Sequence, residues 1–222
     1  MSPSCRRIVP APTGTHRTIF PRISVPRYRE RCSSGTDGPF SCFAIVQHMK
    51  APRYLAIAAV TLDGRIAADE DHFSNWTSKE DKKFMRSLLD TCDVVIVGNN
   101  TYKTAKKPLS KRNCIVLTRS IPGTKRMAPN LMYLNTKGAK LKQIIINAKY
   151  KKVAVLGGAQ VYTYCLEREM ITDLYLTVEP VIFGAGIPLF AGKLKLRKPK
   201  ILSVKKLNRK GALLIHARLR AL

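Results

Sequence analysis

Val153-Ala154-Val155-Leu156-Gly157-Gly158-Ala159-Gln160-Val161-Tyr162 reads as a β-branched run, a glycine pair and the start of an amphipathic helix. A strand that ends in two glycines and turns into a helix lets backbone N–H groups approach an anion closely, with the positive end of the helix dipole behind them. A dinucleotide pyrophosphate is an anion of suitable shape. The three-glycine dinucleotide fingerprint is absent, and a bare glycine pair is also a common tight turn, so other segments must supply the rest of the argument.

Strand-like and helix-like segments alternate on both sides of this stretch. Upstream, the pattern predicts a strand over Tyr54 to Thr61, a turn at Leu62-Asp63-Gly64-Arg65 and an irregular polar stretch to Trp76. A helix opens at Thr77 or Ser78, with Glu80 and Asp81 in its first turn where the dipole favours acid. Strands follow at Val94 to Val97 and Cys114 to Leu117, a helix at Leu141 to Ala148, a strand at Val153 to Leu156 and a helix at Ala159 to Arg168. Leu174 to Val178, Ile201 to Leu207 and Leu213 to Leu219 read as strands, the last two joined through Asn208 to Gly211 as a closing antiparallel hairpin. The alternation predicts an α/β fold with a mainly parallel central sheet.

The chain has 222 residues, 45% of them hydrophobic, which suits one domain with a sizeable core. Its 40 Lys and Arg against 14 Asp and Glu give a formal net charge of +26, which attracts polyanions without choosing among nucleic acid, membrane surface and phosphorylated metabolites. No apolar run approaches the ~18–20 residues of a membrane-crossing helix, so no membrane partner is expected. The six cysteines (Cys5, Cys32, Cys42, Cys92, Cys114, Cys165) show no paired metal-ligand spacing, and three lie in apolar settings. A reducing compartment, without a metal site or a disulfide frame, is the expectation.

Residues 1–48 differ in kind from the rest, with seven Arg, no Lys, six Pro, six Ser and two acids (Glu30, Asp37). Prolines this frequent oppose packed structure. Three readings fit the segment: translated sequence upstream of a start at Met49, an organelle transit peptide whose helix the prolines spoil, or a basic interaction arm. Under each of them the functional domain is 49–222, with 33 basic and 12 acidic residues. The cytoplasm is the expected compartment, or an organelle under the transit-peptide reading.

Three strand ends carry polar loops, at 98–101, 118–120 and 157–160, and in an open parallel sheet such ends line one crevice. Arg119 between Thr118 and Ser120 matches a monoester phosphate, since a guanidinium forks two oxygens while hydroxyls bind the third; a 2′-phosphate would select NADPH over NADH. Asp63-Gly64 reads as a turn, and Trp76 as core or as the wall of a pocket for a flat ring. Glu179 sits at a strand end, where an acid has few structural reasons to be. The basic residues at 193–200 and 205–210 carry no interleaved aromatics and no nucleic-acid motif, so a solvated face is expected there rather than a nucleic-acid partner.

In order along 54–220, the series Val60-Thr61-Leu62-Asp63-Gly64-Arg65-Ile66-Ala67, Trp76-Thr77-Ser78-Lys79-Glu80-Asp81, Val97-Gly98-Asn99-Asn100-Thr101-Tyr102, Leu117-Thr118-Arg119-Ser120, Gly157 to Tyr162 and Asp173 to Phe190 resembles the dihydrofolate-reductase-like superfamily. The reductase domain of riboflavin-biosynthesis deaminase-reductases is the nearest member in pattern. The resemblance implies a three-layer α/β fold and a homodimeric, NADPH-dependent reductase that moves hydride to a C=N bond of a pyrimidine-, pteridine- or ribosylamino-type substrate. It also implies that Gly157, Gly158, Ala159 and Val161 hold the pyrophosphate region, Gly98 and Thr101 the neighbouring phosphate and ribose, and Thr118 to Ser120 the 2′-phosphate. Asp63, Trp76 and Glu179 would face the substrate, with Glu179 and Asp63 as polar anchors at the reacting centre; Glu80 or Asp81 would meet a pterin ring in dihydrofolate reduction proper. Riboflavin-pathway members carry a Lys in the first strand and a Glu before the glycine pair, where this chain has Ile57 and Leu156, and Lys103, Lys106 and Lys107 stand where an arginine-bearing loop is expected. A non-catalytic basic protein that binds nucleotide or nucleic acid is the alternative of another class.

Overall fold

The computed structural model describes residues 51–69, 72 and 74–219; the expectations for residues 1–48 and for the boundary at Met49 lie outside them. Six apolar runs form parallel strands: β1 (Arg53–Val60), β3 (Val94–Gly98), β4 (Cys114–Leu117), β6 (Leu131–Leu134), β7 (Lys152–Val155) and β8 (Asp173–Val178). They lie in the order β8-β1-β7-β3-β4-β6. Both edges are antiparallel: β11 (Leu213–Arg218) pairs with β8 and carries β10 (Lys200–Lys206), while β5 (Thr124–Ala128) folds onto β6. A small separate sheet joins β2 (Arg65–Ala67) to β9 (Ile187–Pro188).

Neighbouring residues of one strand go to opposite cores, which is why the central strands read as continuous apolar runs rather than alternating ones. Tyr54, Ala56, Ile96, Val153 and Val155 join one core with Leu141 and Ile145 of α4 (Leu141–Asn147) and with Val161, Tyr162 and Cys165 of α5 (Ala159–Glu167). Leu55, Ile57, Val95, Val97 and Ala154 join the other with Leu89 of α1 (Lys79–Leu89), Tyr102 of α2 (Asn99–Thr104) and Leu109 of α3 (Lys106–Leu109). The result is the expected three-layer α/β fold with a mainly parallel sheet and an antiparallel C-terminal hairpin. Ile96 and Ile115 are fully buried at its centre, each contributing about 1.5–3 kcal/mol of transfer free energy. Burial pushes the Cys114 and Cys165 thiols up to about 12, as inert packed groups.

Three regions depart from the sequence reading. Residues 98–101, expected as a polar loop, lead into the helix α2 at Asn99, and α3 follows it. The β5–β6 hairpin extends the sheet beyond Cys114–Leu117, where Thr124–Ala128 is exposed almost throughout and so offers no apolar signal. The stretch to Trp76, expected to be irregular, holds β2 and a 3-10 turn at Ser74–Trp76.

At the amino end of the sheet, the fully buried Asp173 ties three strands together. Its carboxylate accepts from Arg53 Nη2 at 3.0 Å, Thr172 Oγ1 at 2.9 Å and Arg218 Nη2 at 3.5 Å, and lies 2.9 Å from His216 Nε2. Burial alone would push this carboxyl up; the bonds from His216, Arg53 and Thr172 outweigh it and hold the group below the usual carboxylate range. A depressed carboxyl contributes stability that is present above its unfolded value and lost as pH falls. Asp173→Ala should cost about 2–4 kcal/mol at neutral pH, below the full penalty of a broken buried pair because both arginines reach solvent. Urea denaturation at pH 7 and pH 3 checks this: the deficit should shrink at the lower pH.

Candidate active site

The candidate crevice lies where β7, β3 and β4 end side by side. Gly98 N–H donates to the Gly157 carbonyl at 2.7 Å, and Leu156 N–H to the Ile96 carbonyl at 3.0 Å, so the loops after β3 and β7 are held at one level. A Cβ on Gly98 would lie 3.2 Å from Val161 Cγ2 and 3.4 Å from Gly158 N; one on Gly158 would meet Thr101 Oγ1 at 3.5 Å. Gly157 has φ +91°, and a Cβ there would stand 2.6 Å from the Tyr162 ring. At Gly98 and Gly157 the chain itself, through Val161 and Tyr162, crowds the space of a side chain, and α5 opens directly from the glycine pair with Ala159 as its first residue. Its first N–H groups have no helical acceptor, as at any helix start. Tyr162 donates its hydroxyl to the Ile57 carbonyl at 2.5 Å and thereby fixes α5 to β1.

Register places Leu117 of β4 opposite Gly98, so Thr118, Arg119 and Ser120 follow beside the same crevice. Ser120 N–H donates to Thr118 Oγ1 at 3.2 Å in a tight turn. Arg119 is exposed and its side chain makes no hydrogen bond or ion pair among the described residues. The three loops expected to converge are therefore brought together.

A second cluster sits where β1 and β8 end. Glu179, 4% exposed, donates its N–H to the Val60 carbonyl, and its Oε1 accepts from Ser78 N at 2.8 Å and from Ser78 Oγ at 2.6 Å. Ser78 is also the N-cap of α1, its Oγ accepting from Asp81 N at 3.2 Å. Asp81 is 7% exposed and is hydrogen-bonded by the Thr177 and Thr77 hydroxyls. Burial pushes its carboxyl above the usual range, the two hydroxyl bonds oppose this, and the charge of Glu179 adds to the rise. Glu80, one residue earlier, is exposed and meets Asn208 Nδ2 at 3.4 Å. Of the two first-turn acids, Asp81 is the one the fold turns inward.

The other expected site residues are placed differently. Asp63 accepts from Thr61 Oγ1 at 2.5 Å, Phe183 N at 3.3 Å and Gly184 N at 2.9 Å. The Thr61 hydroxyl, with the two amides, holds its carboxyl below the usual range. Its role in this geometry is to clamp the loop after β1 to the loop before β9. Trp76 meets the Phe183 ring edge-on at 5.2 Å, and its buried Nε1 finds no acceptor among the described residues. Thr77, Thr177 and Tyr162 were not singled out as site residues. Thr177 carried a signal, lying two residues before Glu179 and hence on the same side of an extended chain.

Glycine-lined strand ends, a helix start behind them and a buried carboxylate beside them define an α/β fold of the dihydrofolate-reductase-like kind. The family model described as dihydrofolate reductase matches residues 54–182, and the chain belongs to that family. The uncharacterized protein YwjB of Bacillus subtilis is 29% identical over 140 residues, 60% of this chain and 79% of that protein. Among solved structures, a pyrimidine reductase-like protein from Corynebacterium diphtheriae superposes with a TM-score of 0.62 at 15% identity, over 77% of this chain and 93% of that one. A diaminohydroxyphosphoribosylaminopyrimidine deaminase/5-amino-6-(5-phosphoribosylamino)uracil reductase from Thermotoga maritima gives 0.61 at 18% identity, over 77% of this chain and 57% of that one. These structures share the fold.

Gly157→Ala should destabilise the protein by about 1–3 kcal/mol, because an L side chain is strained at this φ and the Tyr162 ring must move. Thermal denaturation of the variant, with the Tyr162 environment followed by near-ultraviolet circular dichroism, checks this.

Proposed function

We propose that the protein is an NADPH-dependent reductase that transfers hydride to a C=N bond of a pteridine- or pyrimidine-type ring. The observation that carries this reading is Asp81: a carboxyl buried beside the crevice, fixed by two threonine hydroxyls and with its proton affinity raised. A buried acid held in one rotamer recognises a ring N–H and an adjacent amino group through paired, charge-assisted hydrogen bonds. Its raised proton affinity favours uptake of a proton, and reduction of C=N requires one at nitrogen.

The chain's own surfaces fit the cofactor. Gly98, Gly157 and Gly158 carry no side chain between the strand ends and the start of α5, which leaves backbone N–H groups there to meet an anion. Arg119, Thr118 and Ser120 offer a guanidinium and two hydroxyls to a 2′-phosphate. Bound there, NADPH would supply the hydride. The residues bind, orient and exclude water: Val161 and Thr101 lie beside the glycines, Tyr162 anchors α5 to β1, and the Asp63 clamp holds the loop that leads toward Trp76. The Asp81–Thr177 arrangement favours an amino-substituted ring over the ribosylamino substrate type, since Ile57 and Leu156 offer no charge where the riboflavin pattern has Lys and Glu.

Titration of the full chain with NADPH and NADH, followed by nicotinamide fluorescence, tests the cofactor. NADPH should bind more tightly, and Arg119→Glu should erase the difference; failure to bind either dinucleotide would sink the proposal. Asp81→Asn should lower kcat/KM for dihydropterin reduction by at least about 10²-fold. The same variant should gain stability relative to wild type as pH rises from 4 to 8. A carboxyl with a raised folded value is destabilising once ionised, whereas at low pH the protonated acid and the amide are equivalent. Melting temperatures across that range check the sign.

A further inference from the structure

We propose that Glu179 is a positioning residue for Asp81, acting through its bonds to Ser78 and through its negative charge. The inference rests on the reading of Asp81 as the site's acid. The link is continuous: Glu179 Oε1 accepts from Ser78 N and Oγ, and the same Ser78 Oγ accepts from Asp81 N. The hydroxyl has one proton to donate and lone pairs to accept with, so a single geometry satisfies the whole chain of bonds. It joins the end of β8 to the first turn of α1, and Asp81 cannot shift without breaking it.

A cap alone does not call for this residue. An amide oxygen would accept from Ser78 equally well and would spare the chain a carboxylate that is 4% exposed. What the carboxylate adds is negative charge beside a second buried acid. The groups facing Asp81 are Glu179 from the end of β8, Lys82 on its own helix, Tyr162 from α5, and the hydroxyls of Thr77 and Thr177. Lys82 and the hydroxyls favour the ionised form; Glu179 opposes them. The Tyr162 hydroxyl is committed to the Ile57 carbonyl. Burial is the main cause that raises the Asp81 carboxyl, and the nearby Glu179 adds to it, while its bonds to Ser78 hold the helix start in place.

Carboxyl carbon NMR on the full chain labelled at aspartate reads this directly, with Asp81→Asn assigning the signal. Glu179→Gln retains an acceptor for Ser78 and removes the charge. The Asp81 midpoint should fall by about one pH unit, and the pH profile of kcat/KM should move to lower pH with it. Ser78→Ala retains both carboxylates and removes the hydroxyl link. Its kcat should fall about tenfold while KM for NADPH holds. An Asp81 midpoint unchanged in Glu179→Gln, or an unchanged kcat in Ser78→Ala, would overturn the inference. If the wild-type chain reduces no pterin or pyrimidine but the midpoint still falls in Glu179→Gln, the coupling stands and the proposed activity fails.

Discussion

The bond from Gly98 N–H to the Gly157 carbonyl is the constraint on which the crevice depends. The bond lies beyond the last paired residues of the two strands, Ile96 and Val155. Both positions are glycine, and Val161 packs against the space a Cβ would fill at Gly98. From this junction α5 starts at a fixed height, and Tyr162, one turn in, reaches the Ile57 carbonyl of β1. Strand register, helix start and the floor of the crevice follow from a single bare contact. Enlarging any one of these residues would move the others, because packed interiors transmit displacement rather than absorb it.

The acidic half of the site is held by different physics. Two carboxylates lie buried close together in a chain of net charge +26, yet the distant cations do little for them, since salt screens exposed charges beyond about 10 Å. Local bonds decide instead. Glu179 is stabilised as an acceptor of two hydrogen bonds from one serine, and Asp81 by two threonine hydroxyls. The environments are unequal: Glu179 meets a serine N–H and hydroxyl, whereas burial raises the Asp81 carboxyl against the threonine hydroxyls.

The sequence made the central strands and their loops legible because strands buried on both faces must be continuously apolar, and because glycine at a strand end has few other uses. Gly98, Gly157 and Gly158 stood out for that reason. The β5–β6 hairpin did not: Thr124–Ala128 lies at an exposed edge, where polar residues are tolerated and leave no period to read. The acids were visible only as types. Glu80 and Asp81 both favour a helix start, and what separates them is rotation about α1, which sends Asp81 to Thr177 and leaves Glu80 in solvent. Glu179 was conspicuous as an unexplained acid. Its partner was hidden because Ser78 lies 101 residues away along the chain, and no local pattern encodes a contact at that range. Asp63 showed as a turn residue, and a turn is what it closes, with Phe183 and Gly184 supplying the far side of the clamp.

The placement of the basic residues argues against reading the net charge as the function. No acid occurs from Gly192 to Leu222, and this segment supplies β10 and β11, with β10 at the sheet edge and β11, β8, β1 and β7 between it and β3. Lys200, Lys205 and Lys206 lie on that edge strand beside the exposed Ile201 and Val204. An exposed apolar edge invites pairing with a second copy, and lysines along it oppose such pairing because antiparallel self-association would set like charges across from each other. The ladder break at Leu202 works in the same direction by interrupting the strand's register. The dense charge thus lies on the opposite side of the sheet from Arg119. Arg119, by contrast, follows β4 beside the glycine-bearing strand ends, exposed and apart from this dense cluster.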